Sequence, residues 1–172
     1  MTDTPTGNST RAPLLADPRV ARAIELVWNE ADLLDRKEYD AWQDLYTEDG
    51  HYVIPIDPET DDFANSLNMV YDDARMRRMR VTRMTEGHAI AAVDAARTIR
   101  TVSRFVPTEV FDHEVTLRSA QVVVAYKRGR HDLWAAQVTH RIRLSEHGDR
   151  IALKAVRLVD CEDTVPAAGF LL

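Results

Sequence analysis

The sequence predicts an α+β domain: helices first, then an antiparallel meander curled around them. Two patterns carry that expectation. Apolar residues recur at three- and four-residue spacing after Pro18, the mark of one buried helical face. From about Thr98 onward the pattern becomes strand-like, with a strict two-residue alternation between Trp134 and Leu144.

Asp17-Pro18 reads as a helix start, Asp at the N-cap and Pro in the first turn. Val20, Ala23, Ile24, Val27, Trp28, Ala31 and Leu34 form the apolar face, with Arg22, Glu25 and Asp32 mostly opposite. A second short helix is expected from about Lys37 to Tyr46, burying Tyr39, Trp42, Leu45 and Tyr46. Glu48-Asp49-Gly50 reads as a turn, with Gly50 suited to the left-handed end of a helix. His51 to Pro55 reads as a short strand, and Pro55, Pro58 and the acidic run to Asp62 as a surface loop. Asp72-Asp73 can cap a third helix over 74–84, with Met76, Met79 and Met84 as its apolar stripe and Arg75, Arg77, Arg78, Arg80 and Arg83 on its other faces. In the next strands, Val115 to Arg128 is rich in β-branched residues, and Lys127 to Arg130 is a turn. Trp134, Ala136, Val138, His140, Ile142 and Leu144 then share one face, opposite Gln137, Thr139, Arg141 and Arg143. His147-Gly148-Asp149 turns the chain into a closing strand, Ile151 to Val159. The expected organisation is a disordered or extended tail over 1–16 and a single domain over 17–172.

The 172 residues include 22 Lys and Arg against 28 Asp and Glu, a formal net charge of −6. That balance argues against nucleic acid as a partner, because such binding rests on neutralising phosphates. The polar first residues lack the apolar core of a signal peptide, and no stretch reads as a membrane span, so a cytoplasmic protein is expected. There is one cysteine, Cys161. A Rieske cluster needs two Cys and two His, and other common iron–sulfur centres need four Cys. The chain by itself cannot supply either set. The six histidines are dispersed, without the spacings that hold metals on one face.

Three features compete for function. Asp49, Tyr46, Tyr52 and His88 could converge in a cup-shaped interior, where an apolar setting would raise a carboxyl pKa and make it a useful base. Against that, Asp49 reads as a turn residue and the tyrosines as core. The arginine-rich helix, on an acidic protein, suits a protein interface, where Arg is enriched and pairs with carboxylates in a forked geometry. Cys161 has no partner motif and reads as an inert thiol.

Three blocks together carry a resemblance. The first is Leu33-Leu34-Asp35, then Tyr39, Trp42, Leu45, Asp49, Tyr52 and Pro55. The second is Tyr71-Asp72-Asp73 leading into Arg80-Val81-Thr82-Arg83-Met84 and Gly87. The third is Ile151 to Val159, Asp163 and the terminal Gly169-Phe170-Leu171-Leu172. From about Val20 to Leu172 the chain resembles the β (small) subunit of aromatic-ring-hydroxylating dioxygenases, the Rieske non-haem iron oxygenases, within the nuclear-transport-factor-2-like superfamily. The resemblance implies a cystatin-like cone, its N-terminal helices packed on a curved antiparallel sheet. It implies no catalytic residue and no cofactor in this chain. The Rieske 2Fe-2S cluster and the mononuclear Fe(II) would lie in an α subunit, commonly assembled as three α and three β chains. Electrons would come from NAD(P)H through a reductase, sometimes with a ferredoxin, to give an aromatic cis-dihydrodiol. Asp72, Asp73, Arg75, Arg80, Arg83 and Arg97 are the residues expected at interfaces or in the ion pairs that order them. Two rival readings share the fold: a cofactor-free dehydratase, isomerase or cyclase using Asp49 or His88 with a tyrosine, and a binder of small apolar molecules.

Overall fold

The computed structural model describes residues 14–91, 96–161 and 169–172, with only the backbone at Leu14 and at 87–91. A 3-10 turn, Leu14–Ala16, precedes α1 (Pro18–Asp35); α2 (Tyr39–Gln43), β1 (Tyr46–Pro55), a 3-10 turn (Phe63–Asn65), β2 (Asn68–Asp72) and α3 (Ala74–Ala91) follow. The rest is sheet: β3 (Arg97–Val110), β4 (Glu114–Lys127), β5 (Arg130–Arg143) and β6 (Arg150–Leu158). The tail, as far as residue 13, lies outside the described residues.

Asp17 caps α1 as its sequence predicts, accepting a hydrogen bond from the Arg19 amide at 3.0 Å. The buried face of α1 is Val20, Ala23, Ile24, Val27, Glu30, Leu33 and Leu34. Trp28, expected inside, lies at the rim with its ring edge-on to Phe105, 5.8 Å between centroids. Glu30 takes the buried position instead.

The six strands form one curved, open sheet in the order β2-β1-β6-β5-β4-β3. β3 to β6 are the expected antiparallel meander. The sheet is nonetheless mixed, because β6 returns beside β1 in parallel. The β4–β5 ladder is unbroken from Glu114↔Arg143 to Lys127↔Arg130. Its two-residue turn places Arg128 at φ 49° and Gly129 at φ 80°. Two left-handed residues match the right-handed twist of the strands they join. Every residue of the expected inner face of β5, from Trp134 to Leu144 at alternate positions, is buried.

Two expectations fail here. Glu48-Asp49-Gly50 is not a turn after a helix; all three lie within β1, and Gly50 does not have a positive φ. What Gly50 supplies is room, since a Cβ there would sit 2.7 Å from the Ile151 carbonyl oxygen. On α3 the apolar stripe is also displaced. Met76 and Met79 are exposed, while Arg77 and Val81 are buried. Arg77 goes inside with its two terminal nitrogens on backbone carbonyls, although its Nε has no partner among the described residues: Nη1 donates to Gly50 and, at 3.5 Å, to Asp72, and Nη2 donates at 3.5 Å to Thr47. It also stacks 4.2 Å over the Tyr46 ring, a planar cation on an apolar stem.

Two apolar clusters result. One fills the cone, where Trp42, Tyr46, Tyr52, Trp134 and Leu158 meet Phe170, Leu171 and Leu172. The other joins Val20, Ala23, Ile24 and Val27 of α1 to Val115, Leu117 and Ile142. Burial of each large apolar side chain is worth about 1.5–3 kcal/mol.

Candidate functional site

Glu30 of α1 lies among aromatic rings at the centre of the cone, 2% exposed. Its Oε1 accepts from Trp42 Nε1 at 2.9 Å and Tyr46 Oη at 3.4 Å, and Lys154 Nζ of β6 lies 3.0 Å from the same oxygen. Oε2 meets His140 Nε2 of β5 at 2.9 Å. His140 and Lys154, each 1% exposed, are cross-strand partners, so the β5–β6 register delivers both to one carboxylate. Cross-strand neighbours sit about 4.5–5.5 Å apart at Cβ. Nδ1 of His140 has no hydrogen-bond partner among the described residues.

The charges follow from competition between burial and pairing. Burial alone would raise the Glu30 carboxyl, but Lys154, His140 and the Trp42 donor outweigh it and hold Glu30 well below the usual carboxylate range. Burial lowers the Lys154 ammonium and the His140 imidazole from their ordinary values, each opposed by Glu30. The cluster is therefore a Glu30–Lys154 ion pair with a neutral His140 donating through Nε2.

This has a sign in pH. The folded His140 pKa is lowered, so below its unfolded value of about 6.5 the unfolded ring binds a proton that the folded ring refuses. Stability is present above that value and is lost as pH falls through the folded pKa. Between about pH 7 and about pH 5 the urea midpoint of wild type should fall further than that of His140→Gln, whose amide can donate but not titrate. Parallel falls would mean that His140 titrates alike in both states.

The residues expected to converge do so only in part. Tyr46 and Tyr52 are both in the cone, their phenols pushed up by burial and therefore neutral donors. Tyr52 Oη donates to the Leu172 carbonyl at 3.3 Å and accepts from the Leu172 amide at 3.1 Å. Asp49 does not join them. It is exposed on β1 and held by Arg143 of β5, both pairs of atoms at 2.8 Å. Hydrogen bonds from Arg143 and Thr47 hold its pKa at about 2, the opposite of the raised value a base would need. The side chain of His88, like Asp163, lies outside the described residues.

The expected interface residues fall into two groups. Asp72 is buried and forms an ion pair with Arg80, Oδ1 to Nη2 at 3.0 Å, which ties β2 to α3. Asp73 caps α3, accepting from the Met76 amide at 2.8 Å. Arg75 and Arg83 are exposed on α3, and Arg97 on β3 sits 5.3 Å over the Tyr126 ring. Sequence reasoning missed Glu30, Lys154 and Arg100. Arg100 is paired with Asp35 of α1, donates to the Leu171 carbonyl and so fastens the last residues into the cone.

Among the described residues, aromatic rings, the Glu30 ion-pair cluster and the 169–172 segment pack together inside the cone. Among the described residues no three His, Cys, Asp or Glu side chains form a metal-holding group, and Cys161 is buried. The donor sets of a Rieske cluster or a mononuclear iron are not assembled by them. No helix among them is long and apolar enough to cross a membrane.

Helices packed on one curved, open six-stranded sheet define a fold of the nuclear-transport-factor-2-like class. The fold is shared with an NTF2-like protein with a cystatin-like fold from Novosphingobium aromaticivorans, 18% identical, with a TM-score of 0.60 over 90% of this chain and 93% of the other. It is shared more closely with the β subunit of the benzoate 1,2-dioxygenase of Burkholderia mallei, 22% identical, with a TM-score of 0.74 over 88% and 96% of the two chains. In sequence, residues 29–163 match the family model described as ring hydroxylating beta subunit. The small oxygenase component of the p-cumate 2,3-dioxygenase system of Pseudomonas putida is 32% identical over 132 residues, 76% of this chain and 73% of that one. The chain belongs to the ring-hydroxylating β-subunit family, and is the small subunit of the terminal oxygenase of a ring-hydroxylating dioxygenase.

Proposed function

We propose that the chain is a non-catalytic subunit that supports a larger, iron-bearing oxygenase subunit in the cytoplasm. That larger chain would hold the Rieske 2Fe-2S cluster and the mononuclear Fe(II), draw electrons from NAD(P)H through a reductase with or without a ferredoxin, and dihydroxylate an aromatic ring. The assembly would contain three large and three small chains. The observation that carries this reading is the pairing among the polar groups inside the cone. Lys154 and Nε2 of His140 both meet the Glu30 carboxylate, and Tyr52 is engaged by Leu172. What the chain offers outward is surface, including the exposed Arg75, Arg83 and Arg97.

The test is purification of the tagged chain co-expressed with the larger oxygenase subunit encoded with it. A stoichiometric complex with the red-brown absorbance of an iron–sulfur protein supports the reading. A colourless chain that turns over a substrate alone would overturn it. Within the complex, Arg83→Glu is expected to weaken association roughly tenfold, about 1.4 kcal/mol, read by dilution and light scattering. Arg80→Glu would act twice, because it also sets two carboxylates together at the buried Asp72. Retention of the intact complex by Arg83→Glu on dilution would remove that residue from the interface.

A further inference from the structure

The exposed large apolar side chains include a group on β2 and the adjoining turn of α3. Leu67, just before β2, is 79% exposed, and Met69 and Tyr71 on β2 are exposed as well. Tyr71 stacks on His51 of β1, centroids 5.1 Å apart. The chain then turns through Asp73 onto α3, where Met76 and Met79 are exposed, Met79 by 51%. Isolated exposed apolar residues need no explanation, but a grouped set rich in Met, Tyr and Arg has the composition of an interface core.

Two further observations say what covers it. The first is the sheet edge. β2 and β3 are the two ends of the strand order. β3 is blunted as natural edges are, with two register breaks, Pro107 and a left-handed Arg104. β2 has no proline or lysine, and it pairs with β1 in register from Val70 to Asp72 and, past one irregularity, at Asn68. Its outer backbone groups are placed to receive another strand. The second is charge. Arg75, Arg78 and Arg83 stand on the exposed faces of α3, and among the described residues none of them makes an ion pair, in a chain whose net charge is −6. Arg80, by contrast, is neutralised by Asp72.

We propose that an extended segment of the larger oxygenase subunit adds to the free edge of β2. Its apolar side chains lie on Leu67, Met69 and Tyr71, and its acidic residues face Arg75, Arg78 and Arg83. This rests on the reading that such a subunit is the partner. Strand addition supplies affinity through main-chain hydrogen bonds and specificity through alternate side chains. The arginines orient the encounter and make it salt-sensitive.

The experiment uses the co-expressed two-subunit complex. Leu67→Asp with Met79→Glu is compared with wild type and with Leu133→Glu, an exposed residue on β5 away from this edge. Because all three positions are exposed, the isolated variants should keep the wild-type circular dichroism and thermal midpoint. Hydrogen exchange is then measured on the β2 amides, free and in complex. The expected result is at least tenfold weaker association for the double variant alone, with β2 amides that become protected in the wild-type complex. A double variant that holds the larger subunit as tightly as wild type, or β2 amides that exchange equally fast in both states, would overturn the surface while leaving the subunit reading intact. A wild-type chain that binds no larger subunit at all overturns both.

Discussion

Glu30→Leu is expected to destabilise the chain by about 3–5 kcal/mol, because removing one member of a buried ion pair leaves the other charge uncompensated. Lys154 would be left 1% exposed without its carboxylate, and the Trp42 and Tyr46 donors and the His140 ring nitrogen would lose their acceptor. For a domain of this size that loss lowers Tm by roughly 10–15 °C, out of a total stability of about 5–15 kcal/mol. Adding Lys154→Met should recover most of it, since replacing a whole buried pair with packed apolar groups is often neutral. The single variant should also stabilise as pH rises. Its Lys154 pKa, already lowered by burial in wild type, loses the opposing pull of Glu30. The unfolded chain then binds the extra proton up to about 10.4, and stability climbs with pH across that interval. A Glu30→Leu protein within about 1 kcal/mol of wild type at neutral pH would show that Lys154 is not held as a buried cation.

The same geometry explains what the cluster does for the subunit. Trp42, Tyr46, His140 and Lys154 come from α2, β1, β5 and β6, and all converge on a carboxylate carried by α1. Ion pairs at such depth add little net stability. Their hydrogen bonds join α1 to α2, β1, β5 and β6 at one point, and α1 contributes residues to both apolar clusters.

The fold was legible where one face is buried and the other is wet. β5 alternates strictly, so its inner face, His140 included, could be listed from spacing alone. Glu30 was legible in principle: it falls three residues after Val27 and four before Leu34, on the very stripe that Val20 and Ile24 define. The missing step was its partner, since Lys154 sits among apolar residues of a central strand and nothing local links the two. The parallel β1–β6 pairing joins segments about a hundred residues apart, and local periodicity carries no trace of it. On α3 hydropathy misled, because Arg77 finds its acceptors in the backbone of β1, which only the tertiary structure supplies. β2 was hidden by its length of five residues.

Gly50 offers the sharpest discrimination between the two kinds of reasoning. If it served as a left-handed turn residue, Asn would be the best replacement, since Asn tolerates that conformation. The structure demands the reverse order. Gly50 lies in β1 without a positive φ, and an added Cβ would meet the Ile151 carbonyl oxygen at 2.7 Å and the Thr47 oxygens at 3.0 and 3.1 Å. Backbone cannot yield as a flexible side chain can, so relief requires β1 to move off β6, across the sheet's one parallel pairing. Such a movement would also withdraw the Gly50 carbonyl from Arg77 and leave a buried guanidinium short of an acceptor. Gly50→Ala should cost about 1–3 kcal/mol as a small overpacking. Gly50→Asn and Gly50→Val should cost more than about 3 kcal/mol, because the same strain is joined by a broken buried hydrogen bond. Urea unfolding of the three variants reads the order directly. An Asn variant more stable than the Ala variant would mean that conformation, rather than space, selects glycine here.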